Sequence, residues 1–353
     1  MVPYYLLIGI PIVFLLFKYR NRNFKNKIPI LVFFTIFILL LALRSVECGT
    51  DLWIYKNKFD NTYDVSIKSL FDLNLIEPGY TFFVSLNKLF IDSFQFLLFT
   101  CAVVSLVPIM LLYMKESDHP ILTIALFIGV APFTIFFSGL RQSIAIGFGA
   151  ILFYLCKKNK IVVFLLFVFL AFLFHQSAVI LLLLYPLTHV RITKAWILPI
   201  TTLFVLCIIF NKWIFAILVG FNLKYESRYI ISETGSYTFL ILLLLLTVYA
   251  FIVLKDDAVE VVKLRNLLVL SLFLQCFAPI NTVAMRLNYY YLIFIPILIP
   301  KIIDNCKTRY SQLASISKYV FIIFFVFWFF KEAYTGSNVL HAFPYIPFWE
   351  STI

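Results

Sequence analysis

Apolar runs close to the length that crosses a membrane recur along this whole chain, and no stretch of soluble-domain length is left between them. A membrane-spanning helix needs about 20 mostly apolar residues. The chain is 63% hydrophobic and 13% charged, against about 45–50% apolar and about 25% charged in a soluble domain. The sequence also lacks the segments of alternating polarity typical of a membrane β-barrel. We therefore predict an all-α polytopic membrane protein with about 12 transmembrane or partly re-entrant helices.

The apolar periodicity places these helices along the chain, with one ambiguous stretch. Residues 161–190 contain no Asp, Glu, Lys or Arg, so they read either as one long helix or as two short ones that meet at His175. Short or re-entrant helices are tolerated where protein or a water-filled cavity shields their ends. The predicted helices are 3–17, 28–43, 94–114, 119–138, 141–156, 160–174, 176–188, 195–211, 237–254, 265–280, 287–303 and 317–330.

The distribution of basic residues decides between the two readings. The net charge of +12 is expected of a membrane protein whose cytoplasmic loops are rich in Lys and Arg. If residues 18–27 are cytoplasmic and the chain breaks at His175, most of the basic residues fall in cytoplasmic loops. One long helix would weaken this bias. We therefore predict a break at His175 and both termini on the outer face.

This topology gives one membrane domain over residues 1–353 with three larger outer segments. Residues 44–93 form an outer loop, in which 77–92 read as an amphipathic helix on the membrane surface because their apolar residues recur at helical spacing. A second outer loop covers 212–236, and an aromatic tail covers 331–353.

Ionisable residues near hydrocarbon are costly, so those at the outer helix ends are candidates for function. Arg141 follows Ser138-Gly139 at a predicted helix start, where a guanidinium and free backbone N–H groups suit phosphate; the structural alternative is an arginine that reaches out to water. His175 lies at the predicted break and suits phosphate contact or base catalysis, although a lone histidine in an apolar setting is more often structural.

Further candidates lie on the same predicted face. Arg286 begins a Tyr-rich helix, and Arg228 lies between two tyrosines; both also fit an interfacial aromatic belt. Arg44, Asp51 and Glu77 supply charges in the first outer loop, where Arg44 and Asp51 could equally form a structural pair.

Several familiar chemistries have no signature in the sequence. No phosphate-binding P-loop, dinucleotide glycine motif, HExxH or GxSxG is present. The four histidines are scattered, the six cysteines form no CxxC pair, and no nucleic-acid module is evident. We therefore expect no bound metal, no cofactor, no disulfide framework and no nucleic-acid partner.

The outer-face residues, taken in order, resemble the EpsG family of bacterial polysaccharide polymerases, relatives of the Wzy O-antigen polymerases. The order and spacing of the matching pieces carry the resemblance over residues 40–300. These pieces are Leu43-Arg44 through Thr50-Asp51 to Tyr55, Glu77-Pro78-Gly79-Tyr80, Gly139-Leu140-Arg141-Gln142-Ser143-Ile144-Ala145, Phe174-His175-Gln176-Ser177-Ala178 and Ala284-Met285-Arg286 before a Tyr-rich helix.

The resemblance implies a polymerase of the bacterial inner membrane with its active site on the periplasmic face. Such an enzyme transfers a growing glycan from its undecaprenyl diphosphate onto the non-reducing end of the next lipid-linked repeat unit. Its partners are these lipid-linked oligosaccharides and membrane lipids, with a flippase and chain-length regulators as further candidates. The candidate catalytic residues are Asp51, Glu77 and His175, and the candidate substrate-binding residues are Arg44, Arg141, Gln142, Arg228, Arg286 and Tyr80.

Three alternatives stay open at this point. An O-antigen ligase uses the same chemistry on a different acceptor. A flippase of lipid-linked oligosaccharide would need a charged path open to both faces and commonly two related halves, and no repeat is evident here. A structural subunit would leave the charges at the outer helix ends unexplained.

Overall fold

The computed structural model describes residues 2–20, 27–61, 77–130, 133–220, 237–255, 257–334 and 340–351. Within these ranges the chain is helical, with isolated β-bridges at Arg44–Pro347 and Leu254–Cys306 and no β-strand. The predicted all-α class is confirmed. The helices are α1 (Val2–Arg20), α2 (Ile28–Leu43), α3 (Leu52–Asp60), α4 (Pro78–Phe90), α5 (Phe94–Glu116), α6 (Pro120–Val130), α7 (Ile135–Ser138), α8 (Leu140–Lys157), α9 (Ile161–Phe174), α10 (Leu184–His189), α11 (Ile197–Ile209), α12 (Asn211–Gly220), α13 (Tyr237–Val253), α14 (Val259–Gln275), α15 (Thr282–Leu292), α16 (Ile295–Asp304) and α17 (Ser311–Tyr334).

The structure does not confirm the predicted number of about 12 membrane spans. By length and composition, three helical segments of the described ranges could cross a membrane: α5, α8 and 308–331. Two bent helix pairs raise that number to five. The other apolar helices are shorter; α9, with 14 residues, is about 21 Å long at ~1.5 Å per residue, less than the ~30 Å hydrocarbon layer. The prediction of about 12 spans is therefore not confirmed.

The chain breaks at His175, as the charge distribution predicts. His175 is extended, with φ −155° and ψ 119°, between the end of α9 and a 3₁₀ helix over Gln176–Leu183. The segments on its two sides pack against each other, and both pack against α8. The break therefore leaves the imidazole at a junction of three helical segments.

Two predicted helices have different boundaries for identifiable reasons. The helix predicted at 265–280 instead covers Val259–Gln275, so its first turns carry Glu260, Lys263 and Arg265. The helix predicted at 287–303 is divided into α15 and α16, which meet at 47°. Pro296 lies in the first turn of α16, where its missing N–H and fixed φ favour a new helix start over continuation of the old one.

Close packing of α5 and α8 forms the centre of the molecule. A Cβ added to Gly147 of α8 would lie 2.7 Å from the carbonyl oxygen of Ser105 on α5, so only glycine allows this approach. Helix α2 also packs against α5, and its Phe37 makes a stacked contact with Phe133, with ring centroids 4.7 Å apart. This packing fixes the start of α8, where Arg141 lies.

A C-terminal strap, residues 340–351, lies along the loop that connects α2 with α3. The backbone N–H of Ser45 donates to the carbonyl oxygen of Ile346 at 2.8 Å, and that of Thr50 donates to Leu340 at 3.2 Å. The Ser351 hydroxyl donates to Glu47 at 3.1 Å. Because Asp51 directly follows Thr50, the strap helps to set the position of that carboxylate.

The predicted amphipathic segment forms helix α4, which begins at Pro78. Its end carries strongly exposed apolar side chains, Leu89 and Phe90. Its start packs tightly against α9, because a Cβ on Gly79 would lie 2.8 Å from the Cβ of Leu173. Helix α4 therefore ties the residue before it, Glu77, to the end of α9 and to His175.

We expect Gly79→Ala to destabilise the protein by about 1–3 kcal/mol, because the added methyl group forces α4 and α9 apart. The measurement is the apparent melting temperature of the purified protein in detergent. Gly9→Ala is the matched control, since a Cβ there meets nothing within 4 Å. Equal melting temperatures for the two variants would contradict the close packing of α4 on α9.

Candidate functional site

The buried carboxylate of Glu77 joins His175 and Arg141 in one cluster. One oxygen, Oε1, is hydrogen bonded to Nδ1 of His175 and lies 3.4 Å from the backbone N–H of Gln176. The other oxygen, Oε2, lies 2.5 Å from the guanidinium of Arg141. The Glu77 side chain is 2% exposed. The structure thus brings three predicted site residues from three separate segments into direct contact.

The backbone around Glu77 is unusual for a residue with a side chain. Glu77 has φ +65° and ψ +69°, in the left-handed region. Such a conformation costs about 1–3 kcal/mol and persists where the surroundings hold it. Here, Pro78 fixes the first turn of α4, and the carboxylate is held by two partners. The side chain therefore points toward the start of α8 and the end of α9, where Arg141 and His175 lie, and not toward the surface.

Tyr55 of α3 positions the guanidinium of Arg141. Arg141 Nε donates to the Tyr55 hydroxyl at 3.1 Å, and the guanidinium carbon lies 5.4 Å from the ring centroid. Burial raises the pKa of Tyr55, so the phenol stays neutral. Sequence reasoning did not assign Tyr55 to the site, although its position four residues after Asp51 places both on one side of α3.

Asp51 and Arg286 form a second, looser pair beside this cluster. Arg286 approaches Asp51 at 3.9 Å, and each side chain is about one third exposed, at 33% and 30%. The backbone N–H of Asp51 donates to the hydroxyl of Ser138 at 3.2 Å. The looser pair joins the start of α3 to α15, whereas the Glu77–Arg141 pair joins the start of α4 to α8. Both carboxylates, Asp51 and Glu77, act electrostatically on Tyr55 of α3.

Two predicted substrate-binding residues are buried beneath the arginines. Gln142 is 2% exposed, and its side-chain amide donates to the backbone carbonyl of Arg286 at 2.7 Å. Tyr80 is 1% exposed, and its ring meets that of Tyr55 edge-on at 5.5 Å. Their placement suits the positioning of Arg286 and Tyr55 better than direct contact with a substrate.

A hydroxyl pair that sequence reasoning missed lies next to the cluster. The Ser177 and Tyr290 hydroxyls are 2.9 Å apart, and Glu77 acts electrostatically on Tyr290. Ser177 follows His175 by two residues, so proximity along the chain was the available signal. The pair joins the segment after the break to α15, which carries Arg286.

Two predicted arginines are not brought to the cluster. Arg44 is 1% exposed; its guanidinium donates to the carbonyl oxygens of Leu41 and Phe136 and lies over the ring of Phe137. At the end of α2 the guanidinium turns back toward helix carbonyls and into the core, so the structure does not bring it to the cluster, and a phosphate contact by Arg44 stays a prediction. Arg228 lies outside the described residues, as do 221–236 of the second predicted outer loop.

The described residues contain no group of three or more His, Cys, Asp and Glu side chains placed to hold a metal ion. The polar groups of the site are two arginines, two carboxylates, an imidazole and phenols. Guanidinium groups bind phosphate oxygens through several parallel donors, and a carboxylate or imidazole can accept a proton from a hydroxyl. The arrangement is suited to a phosphate-bearing substrate and a hydroxyl nucleophile.

The ion pairs set the protonation of Glu77. Burial raises the pKa of its carboxyl, but the hydrogen bond with His175 and the nearby charges of His175 and Arg141 outweigh burial and hold that pKa below its usual value of 4.5. Because the folded pKa lies below the unfolded one, the stabilisation is fully present above about pH 4.5 and is lost as the pH falls through the folded pKa.

We therefore expect the difference in stability between the natural protein and the Glu77→Gln variant to disappear in acid. Melting temperatures of both proteins in detergent, measured from pH 7 down to pH 3, test this. The difference between them should be constant at neutral pH and shrink below about pH 4.5, where the Glu77 carboxylate takes up a proton. A difference that stays the same down to pH 3 would show that Glu77 is not an ionised partner of Arg141 and His175.

Comparison with known proteins gives one family. The family model of the EpsG family matches residues 27–348, nearly the whole chain. No curated protein and no solved structure matches the chain. The matched range contains Asp51, Glu77, Arg141, His175 and Arg286, so the whole cluster lies within it.

Proposed function

This chain belongs to the EpsG family, whose members are Wzy-like polymerases, and from that premise we propose that it polymerises undecaprenyl-diphosphate-linked oligosaccharide repeat units into O-antigen or a related surface polysaccharide. The growing glycan leaves its own carrier and joins the non-reducing end of the next lipid-linked unit. The enzyme lies in the bacterial inner membrane, with this site on the periplasmic face.

The cluster in which Glu77 joins Arg141 and His175, next to the Asp51–Arg286 pair, is the observation that carries the proposal. Departure of a lipid diphosphate leaves negative charge on phosphate oxygens as the glycosidic bond breaks. Preorganised arginines stabilise such developing charge. Arg141 and Arg286 are each about one third exposed, so they keep donors available while their carboxylates hold them in place.

The two carboxylates suit different roles. Glu77 is buried and engaged by both Arg141 and His175, which fits a positioning residue. Asp51 is partly exposed, and its contact with Arg286 is long, at 3.9 Å, which fits a general base. In the proposed step the acceptor hydroxyl oxygen attacks the anomeric carbon, and its proton passes to Asp51. The bond from that carbon to the phosphate oxygen breaks, and its electron pair leaves with the lipid diphosphate.

Helix α8 supports an outward-facing site. It is one of the helices long and apolar enough to cross a membrane; Arg141 lies at its start and Lys157 at its end, about 24 Å apart at ~1.5 Å per residue. Lys157 meets Glu116 at 2.8 Å, and Lys301 meets the same carboxylate at 3.3 Å. If this lysine-rich end is cytoplasmic, as the positive-inside rule predicts, the Arg141 end faces the periplasm.

Deletion of the gene, followed by complementation, tests the proposed function. We expect the deletion strain to carry surface glycan with a single repeat unit, and the complemented strain to recover a ladder of long chains. Extraction of the carrier lipid gives the contrasting outcomes. Long polymer stranded on the carrier would identify a ligase instead, and single units held on the cytoplasmic side would identify a flippase.

A further inference from the structure

A second basic site lies away from the Glu77 cluster, between the segment that precedes α11 and the first turns of α14. It is a cavity of about 330 Å³, within the range of small-molecule sites. Arg191, Thr193 and Lys194 line one side, and Arg265 lines the other. Among the described residues, those that line the cavity include three cations and no carboxylate.

Arg265 anchors the inner wall of this cavity. Its side chain is 2% exposed, donates to the backbone carbonyl of Ile192 at 2.6 Å and lies 4.0 Å from the ring centroid of Phe251. These contacts hold the backbone of the 191–194 segment against α14. Arg191 and Lys194 are exposed at the mouth, so positive charge extends from the buried wall to the surface.

The chain next to the cavity has the character of a membrane interface. Lys194 is followed by Trp196, Ile197 and Leu198, which are 50%, 41% and 76% exposed. These residues begin a bent helix pair, 194–217, that is apolar enough to cross a membrane. Tryptophan favours the depth of lipid headgroups, and exposed aliphatic residues favour the acyl chains beneath it. Phosphate groups of lipids lie at the level of Arg191 and Lys194 in such an arrangement.

We propose that this cavity binds the phosphate of an anionic phospholipid headgroup. Arg191 and Lys194 contact the phosphate oxygens, the Thr193 hydroxyl donates to the headgroup, and Arg265 provides a fixed positive potential behind them. The acyl chains lie along the exposed face of Trp196 and Leu198. Basic pockets between helices at a membrane surface recognise anionic lipid in this way. The site is independent of the proposed polymerase reaction.

Native mass spectrometry of the full-length protein with phosphatidylglycerol or phosphatidylcholine tests the proposal. We expect one phosphatidylglycerol to bind more tightly than phosphatidylcholine. Because each basic residue near a membrane surface contributes about fivefold to anionic-lipid binding, Arg191→Gln combined with Lys194→Gln should weaken that binding by about 30-fold. Lys158→Gln combined with Lys160→Gln is the matched control, since it removes two charges from another connection.

Two further measurements distinguish lipid binding from the binding of free anions, and a loss of binding from a loss of folding. Millimolar inorganic phosphate should not displace the phosphatidylglycerol; displacement would overturn the lipid assignment in favour of a free-phosphate site. The melting temperature in phosphatidylcholine should be the same for the double variant and the natural protein. Unchanged phosphatidylglycerol binding in the double variant, or an equal loss in the control, would also overturn the proposal.

Discussion

Arg141→Ala is expected to lower the rate of glycan polymerisation by about 10²- to 10³-fold, the effect typical of removing one preorganised donor from a developing oxyanion. Arg141 reaches Glu77 at 2.5 Å and Tyr55 at 3.1 Å, so its guanidinium is held before any substrate arrives. The measurement is the appearance of long chains when purified protein in liposomes is given lipid-linked repeat units.

Two companion variants make this result interpretable. Arg141→Lys keeps the charge but loses the planar fork and the hydrogen bond from Nε, so we expect it to recover only part of the activity. Arg309→Ala is the matched control, because Arg309 also lies over a tyrosine ring, at 4.6 Å from Tyr310, but away from the cluster. Normal chain ladders from Arg141→Ala at normal protein levels would remove Arg141 from the mechanism.

Asp51→Asn is expected to reduce polymerisation by about 10²- to 10⁴-fold, the usual contribution of a general base, while the melting temperature changes little. The Asp51 carboxylate is partly exposed and contacts Arg286 at 3.9 Å, a geometry in which an ion pair stabilises the fold by about 0–1 kcal/mol. Turnover in liposomes and melting in detergent are measured on the same preparation.

Glu77→Gln gives the contrasting result. Removing one partner of a buried ion pair destabilises a protein by about 3–5 kcal/mol, and here the amide would leave Arg141 and His175 without their shared carboxylate. We expect a clear fall in melting temperature together with the loss of activity. If Asp51→Asn lowers stability as much as Glu77→Gln does, or if it keeps full activity, the division into base and positioning residue is wrong.

The sequence supports some features of this fold because they have local causes. The break at His175 follows from the charge bias, and the start of α4 follows from Pro78. The predicted number of spans is not confirmed because several of the apolar runs form helices that are short or bent. Bends such as the 47° turn between α15 and α16 come from packing and from a proline, and hydropathy does not distinguish a bent or short helix from a full span.

The residues of the site were partly predictable from the sequence, but their contacts were not. The sequence predicts a shared outer face for Glu77, Arg141 and His175. It does not predict their direct contact, because no periodicity relates residues such as Glu77 and His175 that lie 98 positions apart. The position of Arg44 shows the same limit. A charged residue at a helix end can face the site or turn back to the helix carbonyls, and only the packing around Phe136 and Phe137 decides which.

The C-terminal strap also makes the loop before Asp51 depend on a segment that is synthesised much later. In the loop before Asp51, Sγ of Cys48 accepts a hydrogen bond from the backbone N–H of Ile346, 298 positions later. At a synthesis rate of about 5–20 residues per second, the ribosome needs roughly 15–60 s to reach Ile346 after it has made Cys48. Until residues 340–351 have been synthesised, the loop before Asp51 therefore lacks the contacts that help to position this carboxylate.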